Sequence, residues 1–79
     1  MTHAEIWHAI DMIATRNKMS CSRLAIYCGL DPTTFNKSKR WTVYGKPRWP
    51  STKLISKILI TTSTSPEEFV RLFNQPNNV

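Results

Sequence analysis

Apolar side chains recur at helical spacing near the N-terminus of this 79-residue chain. Thr2 and Glu5 have the spacing of a capping box, so we expect a helix to begin there and to end near Asn17. The apolar positions that follow the cap are Ile6, Trp7, Ile10, Ile13 and Ala14. They fall at i, i+1, i+4, i+7 and i+8, which predicts one amphipathic helix covering the core.

The C-terminal part of the chain predicts two more helices. Pro50 and Ser51 open the first, and Ser65, Pro66 and Glu68 supply the N-cap, first-turn proline and capping-box acid of the second. The apolar stripes of the two helices are Leu54, Ile55, Ile58 and Leu59, and then Phe69, Val70 and Phe73. The domain is expected to span 1–73, with 74–79 as a disordered tail or the start of a linker.

A short helix and a turn are predicted in the stretch that begins at Ser20. Ser20 is a suitable N-cap, and the methyl group of Ala25 suits a second helix crossing closely at about 90–120°. Gly29 then supplies the left-handed residue that ends the helix. The pattern does not decide whether Ile26 or Tyr27 faces inward.

A further helix is predicted from Asp31 to about Lys39. The Asp31 carboxylate caps it, and Pro32 fits its first position because no hydrogen bond is lost there. The apolar anchors of this pair of helices are Leu24, Leu30 and Phe35. The side chains expected to stay exposed are Thr33, Thr34, Asn36, Lys37 and Lys39. Hydrogen-bonding groups with positive charge suit a DNA groove, although either threonine would also serve to complete the cap.

The segment after this helix contains two prolines and Gly45, which exclude a helix and favour an extended piece turning at the glycine. Two interpretations of its tryptophans stay open. Trp41 and Trp49 complete the small core and leave Lys46 and Arg48 free to contact phosphates, or the rings stack on unpaired bases. We favour the first, because so short a chain needs the aromatic area.

Charge is concentrated in the middle of the chain. The formal net charge is +6, and ten of the eleven Lys and Arg residues lie within 16–57, where Asp31 is the single acid. This distribution predicts a one-sided positive surface that binds a polyanion. The chain has no apolar run of about 18 residues, so no membrane span is predicted.

The two cysteines do not indicate a disulfide or a metal site. Cys21 and Cys28 are seven residues apart on one predicted helix, which puts their α-carbons about 10 Å apart, too far to bridge. Neither a zinc-binding spacing nor a partner for His3 and His8 is present, so both histidines are expected at the surface. Unpaired cysteines suit a reducing cytoplasm.

The spacing of Ala25, Gly29 and Phe35 resembles the Cro/repressor class of helix-turn-helix. The run Gly-Leu-Asp-Pro-Thr-Thr-Phe-Asn-Lys-Ser-Lys-Arg, followed by Gly-Lys-Pro-Arg-Trp-Pro-Ser-Thr, is similar to the N-terminal DNA-binding domain of bacterial LexA-type and phage-repressor-like regulators. In those regulators a serine-peptidase-like region follows. The likeness extends from about residue 6 to 73. It departs at Cys21, where the family often has a phosphate-binding glutamine, and at Ser38, where relatives often bury an apolar residue.

The resemblance implies an all-α, five-helix lambda-repressor-like domain with an extended loop between the third and fourth helices. It implies sequence-specific binding of double-stranded DNA by a bacterial transcriptional regulator, most simply a repressor, with the helix over 31–39 in the major groove. A homodimer on a palindromic site is the expected assembly. The expected DNA contacts are Ser22, Arg23, Thr33, Thr34, Asn36, Lys37, Lys39, Arg40, Lys46 and Arg48.

Two other classes of function are considered beside DNA binding. A helical protein-interaction module, such as an antitoxin-like partner binder, has the same core but an exposed apolar patch. An enzyme is not indicated, because the sequence shows no carboxylate pair, no nucleophile with its base and no phosphate-binding glycine loop. No cofactor, metal or small-molecule substrate is expected.

Overall fold

The first helix supplies half of the buried apolar residues. In the computed structural model, which describes residues 2–74, α1 spans His3–Arg16. The predicted capping box is confirmed: the Glu5 amide donates to the Thr2 hydroxyl at 3.1 Å, and the Thr2 amide donates to the Glu5 carboxylate at 2.8 Å. The buried residues of α1 are Ile6, Trp7, Ala9, Ile10, Met12, Ile13 and Ala14.

The second helix and the turn after it form as predicted. Helix α2 spans Cys21–Tyr27, and its N-cap Ser20 accepts a hydrogen bond from the Arg23 amide. Gly29 has a φ of 75°, and the amide after it, that of Leu30, donates to the Ala25 carbonyl at 2.9 Å. This is a Schellman end, which satisfies the last carbonyls of the helix. Ala25 is fully buried, whereas Ile26 and Tyr27 are about half exposed, so neither faces the core.

The helix predicted over 31–39 does not form as an α-helix. Residues 32–35 make a turn, Asn36 is extended with a ψ of 146°, and a 3-10 helix covers Lys37–Arg40. The amide-to-carbonyl bonds of this segment run over three residues, from Thr34 to Asp31 and from Lys39 to Asn36. The predicted recognition helix is therefore wrong in its detail, and residues 2–74 contain four α-helices instead of five.

Arg40 explains why the segment is interrupted. A continuous α-helix would use the Phe35 carbonyl to accept the Lys39 amide. Here that carbonyl accepts from the Arg40 guanidinium, at 2.9 Å from Nη2 and 3.3 Å from Nε. Arg40 is in turn held by Asp11 of α1. A side-chain bond from Arg40, which Asp11 holds from a distant part of the chain, thus takes the place of the helical bond.

The next segment, residues 41–47, is a small hairpin. Trp41 and Pro47 form an antiparallel bridge, and the Thr42 amide donates to the Lys46 carbonyl at 2.7 Å. Gly45 turns the chain with a φ of 78°. The predicted extended piece with its turn at Gly45 is confirmed. We call residues 41–47 the hairpin below.

Two helices complete the core. Helix α3 spans Thr52–Thr61 with Ser51 as its N-cap, and α4 spans Pro66–Arg71 behind a capping box made by Ser65 and Glu68. Both starts are as predicted. A 3-10 helix, Leu72–Asn74, follows α4 and packs against α1. The buried residues that these elements add are Ile58, Phe69 and Leu72.

The all-α class is thus confirmed for the part of the chain that the structure describes. The tail was expected to begin at residue 74, but Asn74 still belongs to the 3-10 helix. Residues 75–79, the rest of that predicted tail, lie outside the described residues. None of the helices within 2–74 has the length and apolar character needed to cross a bilayer.

Candidate nucleic-acid interface

A cleft of about 510 Å³ gathers several of the predicted contact residues. Thr33, Thr34 and Lys39 form one side of it, and Arg48 and Trp49 belong to the segment that follows the hairpin. The remaining lining residues are Trp7, Asp31, Pro50, Ser51 and Leu54. The cleft therefore combines three hydroxyl groups, two cations, the Asp31 carboxylate and two indole rings, of which that of Trp49 is about half exposed.

The threonine hydroxyls are oriented by Asp31. Its Oδ1 accepts from the Thr33 hydroxyl at 2.6 Å and from the Thr33 amide at 2.8 Å, while the Thr34 hydroxyl donates to the Asp31 carbonyl at 2.7 Å. The hydrogen bond from the Thr33 hydroxyl, with that from its amide, lowers the pKa of the Asp31 carboxyl below its usual range. Both hydroxyl protons are used, so each threonine presents lone pairs that can only accept. The amino groups of adenine and cytosine in a major groove are donors of the matching kind.

Arg40 does not belong among the exposed cations, contrary to its predicted place in the DNA contacts. Its residue is only 7% exposed. The guanidinium donates to both Asp11 oxygens, at 2.7 and 3.0 Å, and its central carbon lies 4.7 Å from the centre of a Trp7 ring. A phosphate could reach this group only after the ion pair with α1 broke.

Four of the predicted cationic contacts are exposed around the cleft and the hairpin: Lys37, Lys39, Lys46 and Arg48. The sequence has no carboxylate from residue 32 to residue 66. Lys39 and Arg48 line the cleft, whereas Lys37 lies beside Trp41 and His3 in a neighbouring depression of about 290 Å³. The stretch that carries these cations contains no acid of its own, but Asp31 lines the cleft beside Lys39, and Asp11, which binds Arg40, lines the depression beside Lys37.

The other predicted contacts lie outside the cleft. Ser22 and Arg23 are exposed on the first turn of α2, and Asn36 is half-buried at the break before the 3-10 helix. None of the three lines the cleft that holds Thr33 and Thr34. Ser22 and Arg23 are open to solvent and to a ligand, and Asn36 is only partly so, but the structure does not gather any of them with the threonines.

His3 joins the segment from Arg40 to Arg48 to α1. The sequence did not predict this role for His3. Its Nε2 lies 2.9 Å from the Arg40 carbonyl and 3.1 Å from the Arg48 carbonyl. Carbonyl oxygens only accept, so Nε2 must carry the proton. Trp7 adds a second donor, with its Nε1 at 3.0 Å from the same Arg48 carbonyl. The sequence carried no signal for this, because 45 residues separate His3 from Arg48.

The tryptophans of this region are not core residues. Trp41 is 49% and Trp49 53% exposed, whereas Trp7 is 6% exposed. The ring of His3 lies between them, with centroids 4.6 Å from Trp41 and 5.9 Å from Trp49. The expectation that both tryptophans complete the core is wrong: about half of each residue stays exposed, and both rings lie against His3 instead.

Both cysteines are free, in agreement with the sequence. Cys28 is buried, and burial raises the pKa of its thiol. Burial, followed by the hydrogen bond to Asp11, also raises the pKa of Cys21, whose thiol donates to the Asp11 carboxylate at 3.1 Å. Within the described residues no group of His, Cys, Asp and Glu has an arrangement suited to a metal ion.

No family model, curated protein or solved structure matches this chain.

Proposed function

We propose that this protein binds double-stranded DNA as a transcriptional regulator, most simply a repressor. The observation that carries the proposal is the cleft in which Thr33 and Thr34 lie with Lys39 and Arg48, where the acid of the lining, Asp31, already accepts hydrogen bonds from Thr33. Cations displace counterions from phosphates, and hydrogen-bonding side chains among them read base edges.

The roles follow from the chemistry of the side chains. Lys37, Lys39, Lys46 and Arg48 contact phosphates and supply affinity that does not depend on sequence. Thr33 and Thr34 accept hydrogen bonds from base amino groups, because Asp31 already holds their protons. Exposed Ser22 and Arg23 at the start of α2 touch the backbone beside the groove, as the first helix of such motifs does.

The turn and 3-10 helix over 31–40 take the place of the expected recognition helix in this proposal. The segment is narrower than an α-helix and enters the major groove, about 12 Å wide, without a steric problem. A single module of this size holds few base contacts, so two copies on a palindromic site complete the regulator.

The test measures binding of the 79-residue chain to a duplex of about 30 base pairs over a range of salt concentrations. Lys39→Ala combined with Arg48→Ala is expected to flatten the log–log salt slope by about 1.8, at about 0.9 for each phosphate that is no longer neutralised. Lys57→Ala combined with Arg71→Ala removes the same charge from α3 and α4 and serves as the control. Equal slopes for the two double variants would place the contact surface elsewhere, and no salt-sensitive binding at all would reject the function.

A second candidate, a helical protein-interaction module, is favoured by one observation. An apolar groove of about 340 Å³ lies along α3 and the start of α4, and Ile60 beside it is 76% exposed. The groove is lined by Thr52, Ile55, Ser56, Leu59, Ile60, Thr64 and Pro66. Ile60→Ser separates the candidates, since a protein-interaction module would lose its partner while a DNA binder would keep its salt-sensitive affinity for a duplex.

A further inference from the structure

The tip of the hairpin exposes two large apolar side chains side by side. Val43 is 94% and Tyr44 88% exposed, the highest values among the exposed large hydrophobic residues of the described chain. Scattered apolar side chains at a surface are ordinary. Two adjacent large apolar side chains that both remain almost fully exposed at the tip of a turn are unusual, because together they leave apolar surface in water that the domain does not cover.

Hydrogen bonds within the hairpin fix its backbone and so keep these two side chains at the tip. The Gly45 amide donates to the Thr42 carbonyl at 2.9 Å, and the Thr42 hydroxyl accepts from the Lys46 amide at 3.0 Å. At its base the Arg48 amide donates to the Arg40 carbonyl at 2.8 Å. His3 and Trp7 hold the Arg48 carbonyl from α1. A tip anchored in this way loses little conformational freedom when it meets a partner.

The charge around the tip indicates the kind of partner. Lys46 directly follows the turn, Arg48 lies at its base, and the stretch 32–66 contains no acid. A second copy of this chain meeting the tip with its own hairpin would bring like charges together. A polyanion with an apolar crevice between its charged strands satisfies both features, and the DNA minor groove is such a crevice, about 6 Å wide.

We propose that the hairpin enters the minor groove of DNA, where Val43 and Tyr44 press against the sugars and base edges while Lys46 contacts a flanking phosphate. Minor-groove proteins use apolar side chains as wedges between base steps in this way. The inference rests on the proposed function. Arg48, at the base of the hairpin, lines the cleft, and an extended arm from Trp41 to Tyr44 is about 10 Å long, which is enough for the tip to enter the groove next to the one that the cleft faces.

The first test substitutes the tip. Val43→Ser combined with Tyr44→Ser should weaken binding of the chain to an A·T-rich duplex of about 30 base pairs by about tenfold or more. The reason is that the variant no longer buries apolar side chains against the groove. Ile60→Ser combined with Val70→Ser is the matched control, because those side chains are 76% and 56% exposed on α3 and α4. Thermal unfolding of each variant shows whether the domain is intact.

The second test leaves the protein unchanged and alters the DNA. Replacing every adenine with 2,6-diaminopurine adds an amino group in the minor groove and preserves the major-groove edge. The parent protein should bind the diaminopurine duplex about tenfold more weakly than the unmodified duplex. The Val43→Ser, Tyr44→Ser variant should bind the two duplexes equally. Unchanged affinity in either test, with salt-sensitive binding retained, overturns the minor-groove contact alone. No binding to any duplex overturns the proposed function and this inference with it.

Discussion

The Arg40 guanidinium donates two hydrogen bonds to the Asp11 carboxylate, from Nη2 to Oδ1 at 2.7 Å and from Nη1 to Oδ2 at 3.0 Å. The pair joins α1 to the end of the 3-10 helix, and Arg40 brings the Phe35 carbonyl into the same group of contacts. Arg40, which was predicted to contact DNA, therefore joins two elements of the fold instead. The position of the segment 31–40 depends on it.

Asp11→Asn is expected to destabilise the fold. The buried guanidinium would keep only part of its hydrogen bonding, and loss of one partner of such a pair costs about 3 kcal/mol. Glu68→Gln is the control, since the Arg16–Glu68 pair at 3.2 Å is largely exposed and should change stability much less. Urea unfolding of both variants measures the difference. Similar midpoints would show that the Arg40–Asp11 pair is dispensable.

The same pair predicts a loss of stability in acid. Burial raises the pKa of Asp11, but the hydrogen bonds from Arg40 and Cys21 and the charges of Arg40 and Lys37 outweigh it, so the pKa is lowered. A lowered folded-state pKa gives stability that is complete above the unfolded value of about 3.9 and is lost as the pH falls through the folded value. Melting temperatures of the parent chain and Asp11→Asn should therefore converge as the pH falls below about 4. A constant gap would contradict this.

The C-terminal ends of α1, α2 and α3 share one backbone geometry, but the residue at the left-handed position differs among them. Gly29 has a φ of 75°, whereas Lys18 and Ser63 both have a φ of 56°. A Cβ at Gly29 would meet no atom within 4 Å, so Gly29→Ala should cost about 1 kcal/mol or slightly more from backbone strain alone. Unfolding by urea measures this, and a variant as stable as the parent would show that the strain is absent.

The converse substitutions should stabilise the domain. Lys18→Gly and Ser63→Gly relieve the strain, but glycine loses more entropy on folding, so each gain is expected to be up to about 1 kcal/mol. Ser22→Gly provides the contrast, because Ser22 lies within α2, where glycine is unfavourable. A loss of stability in all three variants would argue against the left-handed conformation at Lys18 and Ser63.

His3→Ala should loosen the hairpin without unfolding α1. The substitution removes a donor to two carbonyls, worth about 1 kcal/mol for a typical bond, together with its contacts to Trp41 and Trp49. Hydrogen exchange at the Arg48 amide, which bonds to the Arg40 carbonyl, should accelerate. Trp7→Phe removes the other donor to the Arg48 carbonyl together with part of a buried ring beside Arg40, so it should accelerate exchange at the same amide as well. Unchanged exchange in His3→Ala would show that the hairpin holds itself in place.

The helix starts were predictable because their signals are local. Ser20, Ser51 and Ser65 each cap the helix that follows, through a bond to an amide three residues on. Gly29 marked its turn for the same reason. Such bonds join neighbours in the sequence and leave a pattern that can be recognised there.

The segment 31–40 was mispredicted because its decisive contact is not local. Asp31 and Pro32 are good signals for the start of a helix, and nothing nearby forbids one. Arg40 takes the Phe35 carbonyl while bound to Asp11, which lies 29 residues earlier. The exposure of Trp41 and the role of His3 escaped prediction likewise, because both depend on how α1 meets a distant loop.

The bond between His3 and Arg48 also bears on how the protein should be prepared. His3 directly follows Thr2, where the described residues begin, and its Nε2 lies 3.1 Å from the Arg48 carbonyl oxygen. A purification tag fused ahead of Thr2 would emerge next to the hairpin base and crowd the basic face. Affinity measurements should therefore use material from which such a tag has been cleaved.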